Sequence, residues 1–277
     1  MGLLPDKHTY SYSQLSSFDE CPYNFYLQKI ENIEEPASNA FAEKGSLIHD
    51  LLDQWGKKKL TKQQMLTEYE RRYPEEVITA WPSFPKGQAQ KNYEKGIEFL
   101  ESFDEFQGYE VISTEEKFKI DLALADGSTR PFVGVIDMLL KDKKTGALII
   151  CDHKSKSLSS FKKEEDKMYR QQLLYATYLI DTKGEWPDSL MFHLFNEGSL
   201  KMERLFTIDD YRETIKWATE QIKKIEKYTI IDWLQCKEKP DYFCANLCSC
   251  RNVCPIGCTP LFRRKSDDEF EEFKGEE

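Results

Sequence analysis

The stretch "GVIDMLLKDKKTGALIICDHKSKS", residues 134–157, sets two apolar runs on either side of a polar turn. Short runs of Val, Ile and Leu bounded by Lys, Asp, Thr and Gly read as two strands of an antiparallel hairpin. The turn Lys143–Gly146 is centred between Lys144 and Thr145, so a hairpin symmetric about that point sets Asp137 opposite Asp152. Residues two apart on a strand share a face, so Asp152 and Lys154 point one way and His153 the other. Like charges directly opposite destabilise a sheet. A divalent cation held by oxygen ligands compensates, whereas an isolated Asp-x-Lys is more often a plain strand end meeting water.

Working outward, "EVISTEEKFKIDLAL" (110–124) is another strand signal, and "SLMFHLFN" (189–196) with "LKMERLFTI" (200–208) makes a second hairpin. Between them "KEEDKMYRQQLLYATYLIDT" (163–182) has helical spacing and puts Gln171 and Tyr175, four apart, on one face. "DDYRETIKWATEQIKKIEKY" (209–228) reads as a helix opened by aspartates. Towards the N-terminus, "SYSQLSSFDECPYNFYLQKI" (11–30) reads as two short helices meeting near Cys21, the second started by Pro22. "FAEKGSLIHDLLDQWGKKK" (41–59) forms a helix whose apolar stripe is Leu47, Ile48, Leu51, Leu52 and Trp55. His49 lies beside that stripe and, taken alone, is a packing histidine. Residues 60–107 are mainly helical, with a break around "YPEEVITAWPSFPKG" (73–87), where three prolines fall.

The chain of 277 residues is 32% charged and 13% aromatic, the profile of a globular protein with a sizeable core. No apolar run is long enough for a membrane span, and "MGLLPDKHTYSYSQ" lacks the apolar stretch of a secretory signal, so an intracellular, cytoplasmic protein is expected. A formal charge of −10 argues against binding nucleic acid by bulk attraction. A local groove remains compatible, with lysines in "DHKSKSLSSFKK" (152–163) and "GKKKLTKQQ" (56–64) able to track phosphates. The aromatics of 73–87 either stack on unpaired bases or pack the core. The final "SDDEFEEFKGEE" (266–277) carries seven carboxylates and reads as a solvated tail. No Gly-rich phosphate loop with GKT or GKS occurs, so unwinding of a duplex falls to another protein.

Of eight cysteines, Cys21, Cys151 and Cys236 are scattered, while Cys244, Cys248, Cys250, Cys254 and Cys258 crowd into fifteen residues. Without an export signal such a cluster suggests metal ligands or buried thiols rather than disulfides. Cys151 and Cys236 read as buried apolar positions.

Taken in order, "SYSQLSSFDECPYNFYL", "GSLIHDLLD", "GVIDMLL", "ICDHKSKS", "QQLLYATYL" and the late cysteines give the chain a resemblance to the PD-(D/E)XK nucleases of RecB type. The branch it resembles carries an iron–sulfur cluster and includes the AddB nuclease domain and exonucleases associated with CRISPR adaptation. The resemblance implies an α/β fold: a restriction-endonuclease-like mixed β-sheet flanked by helices. A helical N-terminal portion (1–110) would contribute Cys21 and His49, with the nuclease core at 111–230. A Cys-rich segment (231–265) would pack on the N-terminal helices, ahead of the acidic tail (266–277). His49, Asp137 and Asp152 would ligate Mg²⁺ or Mn²⁺, the backbone carbonyl of His153 adding a further ligand. Lys154 would orient or activate water and stabilise phosphate charge. Gln171 and Tyr175 match a Q-x-x-x-Y motif that supports the site, and Glu115, or equally Glu116, matches an acidic residue some relatives carry. Cys21 with Cys244, Cys248 and Cys254 would hold a [4Fe-4S] cluster. Here the late three are spaced C-x3-C-x5-C where the family usually has C-x2-C-x5-C, which leaves Cys250 and Cys258 as surplus thiols or substitute ligands. Zn²⁺ suits four thiolates equally well. The implied activity is a DNA exonuclease acting on single-stranded ends, in repair, recombination or CRISPR spacer processing. A helicase, recombinase or CRISPR-adaptation protein would be its partner, and the small size suits a virus-encoded enzyme. A cluster-bearing DNA-end binding module and a structure-specific endonuclease are the competing readings.

Overall fold

The hairpin that opens the sequence argument forms in the register its turn centre predicts. In the computed structural model, which describes residue 4 and residues 8–33, 36–83, 85–233 and 242–255, β3 (Thr129–Asp142) pairs antiparallel with β4 (Leu148–Lys154) from Lys141↔Leu148 to Met138↔Cys151. The ladder ends there; the same register carried one residue further sets Asp137 opposite Asp152. The turn is closed by Asp142, whose carboxylate accepts from the Lys144 and Thr145 N–H groups at 2.8 and 2.7 Å. Gly146 takes a φ of +80°, which a side chain would disfavour.

Around the hairpin stands a six-stranded mixed sheet. Before it in the chain come β1 (Tyr10–Ser11) and the long β2 (Tyr109–Ala123); after it come β5 (Ser189–Leu194) and β6 (Leu200–Leu205). The order is β1-β3-β4-β5-β6, with β2 antiparallel to β3 on its other edge. Strands β4 and β5 are parallel, so the chain must cross over between them. Two helices make that crossover, α6 (Leu158–Lys163) and α7 (Glu165–Lys183).

Helices cover both faces. On one lie α1 (Tyr12–Glu20), α2 (Pro22–Lys29), α7 and α8 (Ile208–Lys227), around a core that includes Leu15, Phe18, Phe132, Leu174 and Ile222. On the other lie α3 (Ala40–Gly56), α4 (Lys62–Glu76) and α5 (Gln88–Ser102), packed with Met138, Leu140, Ile149 and Cys151. Leu47, Ile48, Leu51 and Leu52 of the expected α3 stripe are fully buried there. Asn39 caps α3 by accepting from the Ala42 N–H at 3.0 Å, and Thr61 with Gln64 forms a capping box on α4. The result is the mixed α/β architecture expected of a restriction-endonuclease-like core.

The expected break in this helical region is present, between the end of α4 at Glu76 and the start of α5 at Gln88, with Pro74 inside the last turn of α4. Proline near the last turn forfeits one hydrogen bond, and Arg72, ion-paired with both Glu76 and Asp50, secures that end. Cys236, Cys258, the acidic tail and much of segment 231–265 lie outside the described residues.

Gly134 on β3 allows a close approach of Phe118 from β2 and Tyr175 from α7. A Cβ there would sit 2.4 Å from Phe118 Cζ and 2.7 Å from Tyr175 Cε1. Gly134→Ala is therefore expected to destabilise the protein by about 1–3 kcal/mol, read as a lower urea midpoint with unchanged slope.

Candidate metal centre and active site

The site begins as a fault in the β2–β3 ladder. Thr114↔Met138 and Glu116↔Ile136 pair on either side, but between them Glu115 adopts φ +48°. That conformation is uncommon for a non-glycine residue and costs roughly 1–3 kcal/mol. Ile136 and Met138, two apart and so expected on one face, pack into the two different cores. The strand pair thus rotates at Glu115 and Asp137, and both carboxylates meet His49 of α3 at the rotation point. One ligand atom from each of His49, Glu115 and Asp137 lies within 4.8 Å of the others.

The tautomer of His49 follows from its contacts. Its Nε2 lies 3.0 Å from the His153 carbonyl, which can only accept, so Nε2 carries the proton. Nδ1 is left with its lone pair towards Asp137 Oδ2, 3.4 Å away. An acceptor facing an acceptor beside a third acidic group is a donor set for a divalent cation such as Mg²⁺ or Mn²⁺, and the imidazole suits manganese. Burial also lowers its affinity for a second proton, which keeps the ring neutral and able to accept at Nδ1.

On β4 each residue of Asp152–Lys154 has a separate task. The His153 N–H donates to Asp137 Oδ2 at 2.9 Å. Asp152, 3% exposed, is ion-paired to Lys154 Nζ at 2.6 Å. Lys154 Nζ also donates to Gln171 Oε1 at 3.2 Å, and Gln171 Nε2 to the Tyr175 hydroxyl at 3.3 Å. The structure thus joins Asp152, Lys154, Gln171 and Tyr175 in one run of contacts, with Asp137 held by the His153 N–H that lies between Asp152 and Lys154 in the chain. Glu115, not Glu116, reaches the cluster, since Glu116 accepts hydrogen bonds from Ser113 and Tyr178. Asp152 stands beside the three-residue group, not within it, and the His153 carbonyl is already engaged by His49.

Burial pushes Asp137 and Asp152 each up to about 6, against the lowering influence of Lys154. For Lys154, burial favours the neutral amine, but Asp152 and Asp137 outweigh it and hold the ammonium. With no cation bound, Lys154 is accordingly held as a hydrogen-bond-donating ammonium. Burial likewise depresses His153 and His193, and these neutral rings share a proton across Nδ1···Nδ1 at 3.0 Å behind β4.

Sequence reasoning missed several supports. Lys44, 1% exposed, donates to Asn196 Oδ1 at 2.8 Å, and Asn196 in turn donates to the Ser155 carbonyl, fastening the end of β4. His193 lies 40 residues from His153, and Asn196 lies 41 from Ser155 and 152 from Lys44, and no local pattern marks such contacts. Asp53 and Lys57 line the same cavity of about 700 Å³ as His49, and their i+4 and i+8 spacing from it was a legible signal.

The late cysteines come near the N-terminal helices. Cys250 Sγ lies 3.0 Å from Asn24 Oδ1 on α2, the Ala37 N–H donates to the Ser249 carbonyl at 2.8 Å, and Cys21 starts α2. Among the described residues, the group of three side chains gathered closely enough for a single ion is His49, Glu115 and Asp137.

Acid titration of the metal-free protein gives a direct check. Between about pH 4 and 6 the native Asp137 and Asp152 hold protons that the unfolded chain has released, so their contribution to stability is lost as pH rises through that window. Bound cation removes the repulsion. We expect Mn²⁺ to raise the melting temperature clearly at pH 7.5 and hardly at all at pH 5, and Asp137→Asn to abolish the difference, as measured by scanning calorimetry.

No match was found among curated proteins. Among solved structures, a protein from Eubacterium rectale provisionally designated an exonuclease aligns at 14% identity with a TM-score of 0.47, covering 78% of this chain and 79% of that one. SSO0001 aligns at 12% identity with a TM-score of 0.38, covering 92% and 90%. The family model of the PD-(D/E)XK nuclease superfamily matches residues 9–255, spanning both flanking helical layers and every element of the site. The chain belongs to the PD-(D/E)XK nuclease superfamily.

Proposed function

We propose that this metal-dependent nuclease is a DNA exonuclease that works from single-stranded ends. The observation that carries the reading is the ion-paired Asp152–Lys154 unit set against the His49–Glu115–Asp137 group at the edge of an open cavity. A cation held there would supply a deprotonated water and shield the phosphate. The chain's own residues do the rest. Asp152 keeps Lys154 protonated, and Gln171 fixes the direction of its ammonium. That ammonium is then placed to meet negative charge developing on a phosphate oxygen. The His153 N–H holds Asp137 in place, and Tyr175 holds Gln171.

The test is digestion of end-labelled linear and circular single strands in Mn²⁺. Degradation of the linear strand alone is expected. Cutting of circles would replace the exonuclease reading with an endonuclease one. Asp152→Asn and Lys154→Ala should each lower the rate about 100- to 1,000-fold while far-ultraviolet circular dichroism is unchanged. A protein that binds ends but never cleaves would be a binding module.

The [4Fe-4S] assignment to Cys21, Cys244, Cys248 and Cys254 belongs to the same proposal. It is supported by the resemblance and by the packing of Cys250 and Ser249 on α2. Anaerobic purification is expected to yield brown protein with about four irons per cluster and matching sulfide. Colourless protein carrying zinc would replace the cluster with a structural Zn²⁺ site.

A further inference from the structure

Helix α3 is the floor of the cavity, and its lining residues follow one helical face: Ala42, Gly45, Ser46, His49, Asp53 and Lys57. At 1.5 Å per residue, the floor from Phe41 to Lys57 is about 24 Å long, with the ligand His49 about midway. The two ends differ in chemistry. Lys57 and Lys117 line one. At the other, Phe41 lines the cavity and meets Trp81 edge to face, with ring centroids 4.8 Å apart at 78°.

This pair is unusual within the fold. Both rings are only half-buried, and neither belongs to, or packs against, the two hydrophobic cores that absorb most other aromatics. Core packing thus does not account for them. Yet they are held in place: Glu43, two residues after Phe41, accepts from the Thr79 N–H at 2.9 Å and from the Thr79 hydroxyl at 2.5 Å. Those bonds pin the loop bearing Trp81 to the first turn of α3. A half-exposed aromatic edge fixed beside a phosphodiester-cleaving centre suits the flat face of a nucleobase, since stacking tolerates every base.

We propose that the Phe41–Trp81 edge is a stacking subsite for an unpaired nucleobase of the strand whose backbone reaches the His49–Glu115–Asp137 group. The inference rests on the nuclease reading and adds the reason for a single-strand preference, because a duplex keeps its bases inside. Phosphates of the strand then run towards Lys57 and Lys117.

The test is fluorescence anisotropy in Ca²⁺ with two labelled strands of equal length, oligothymidylate and an abasic strand. Wild type should bind the base-bearing strand more tightly. Phe41→Ala and Trp81→Ala should each weaken that binding about 5- to 100-fold and leave the abasic strand unaffected, and Phe41→Tyr should restore it. Equal affinity of wild type for both strands, or equal losses on both in the variants, would overturn the subsite and leave the aromatics as loop packing. Parallel digestion in Mn²⁺ separates the two claims: discrimination without cleavage counts against the nuclease reading alone, and cleavage without discrimination against the subsite alone.

Discussion

Two carboxylates that must both come to one buried point constrain the rest of this structure. Asp137 and Asp152 are neighbours in register on adjacent strands, and nothing in a regular ladder would offset their repulsion. Three devices do so. Lys154 neutralises Asp152 from two residues along the same strand, the His153 N–H takes one oxygen of Asp137, and the rotation of β2 and β3 brings Asp137 to His49. The helices then follow. Helix α3 must lie against the end of β4 to present His49, and α7 must lie on the opposite face to present Gln171.

The balance of charge explains why this cluster is legible as a site rather than as a structural ion pair. A self-sufficient ion pair would leave each carboxyl near or below its ordinary range. Here burial raises both Asp137 and Asp152 despite the lysine between them. The fold holds both carboxyls above their ordinary range, a pattern typical of functional sites. The strained Glu115 belongs to the same pattern, since left-handed backbone inside a strand is retained only where the surroundings impose it.

Much of this was readable from the chain, for a physical reason. Period-two alternation and a tight turn fix a hairpin register, so the facing of Asp137 and Asp152 followed from counting residues. Helical spacing likewise placed Gln171 beside Tyr175, and the ordered motifs named the family. What sequence hid was long-range or sign-dependent. Glu115 and Glu116 are chemically equivalent, and only a positive φ at one decides between them. The clamp of Lys44 on Asn196, and of Asn196 on Ser155, joins three segments with no shared period. The break between α4 and α5 was legible from its prolines, but not that α4 runs two residues past Pro74. The Cys-rich segment was readable as a group drawn towards α2 but not as a ligand set.

The short strand β1 has a consequence of another kind. Tyr10 and Ser11 pair parallel with Phe132 and Val133, more than a hundred residues later. Phe18 and Phe25, just beyond, pack against Trp233, further still. Contacts of such separation form late, because the intervening loop must close first. During synthesis the apolar side chains of α1 and α2 emerge well before these partners, and they wait in contact with water while the sheet is completed. Assembly therefore depends on how long α1 and α2 stay uncovered.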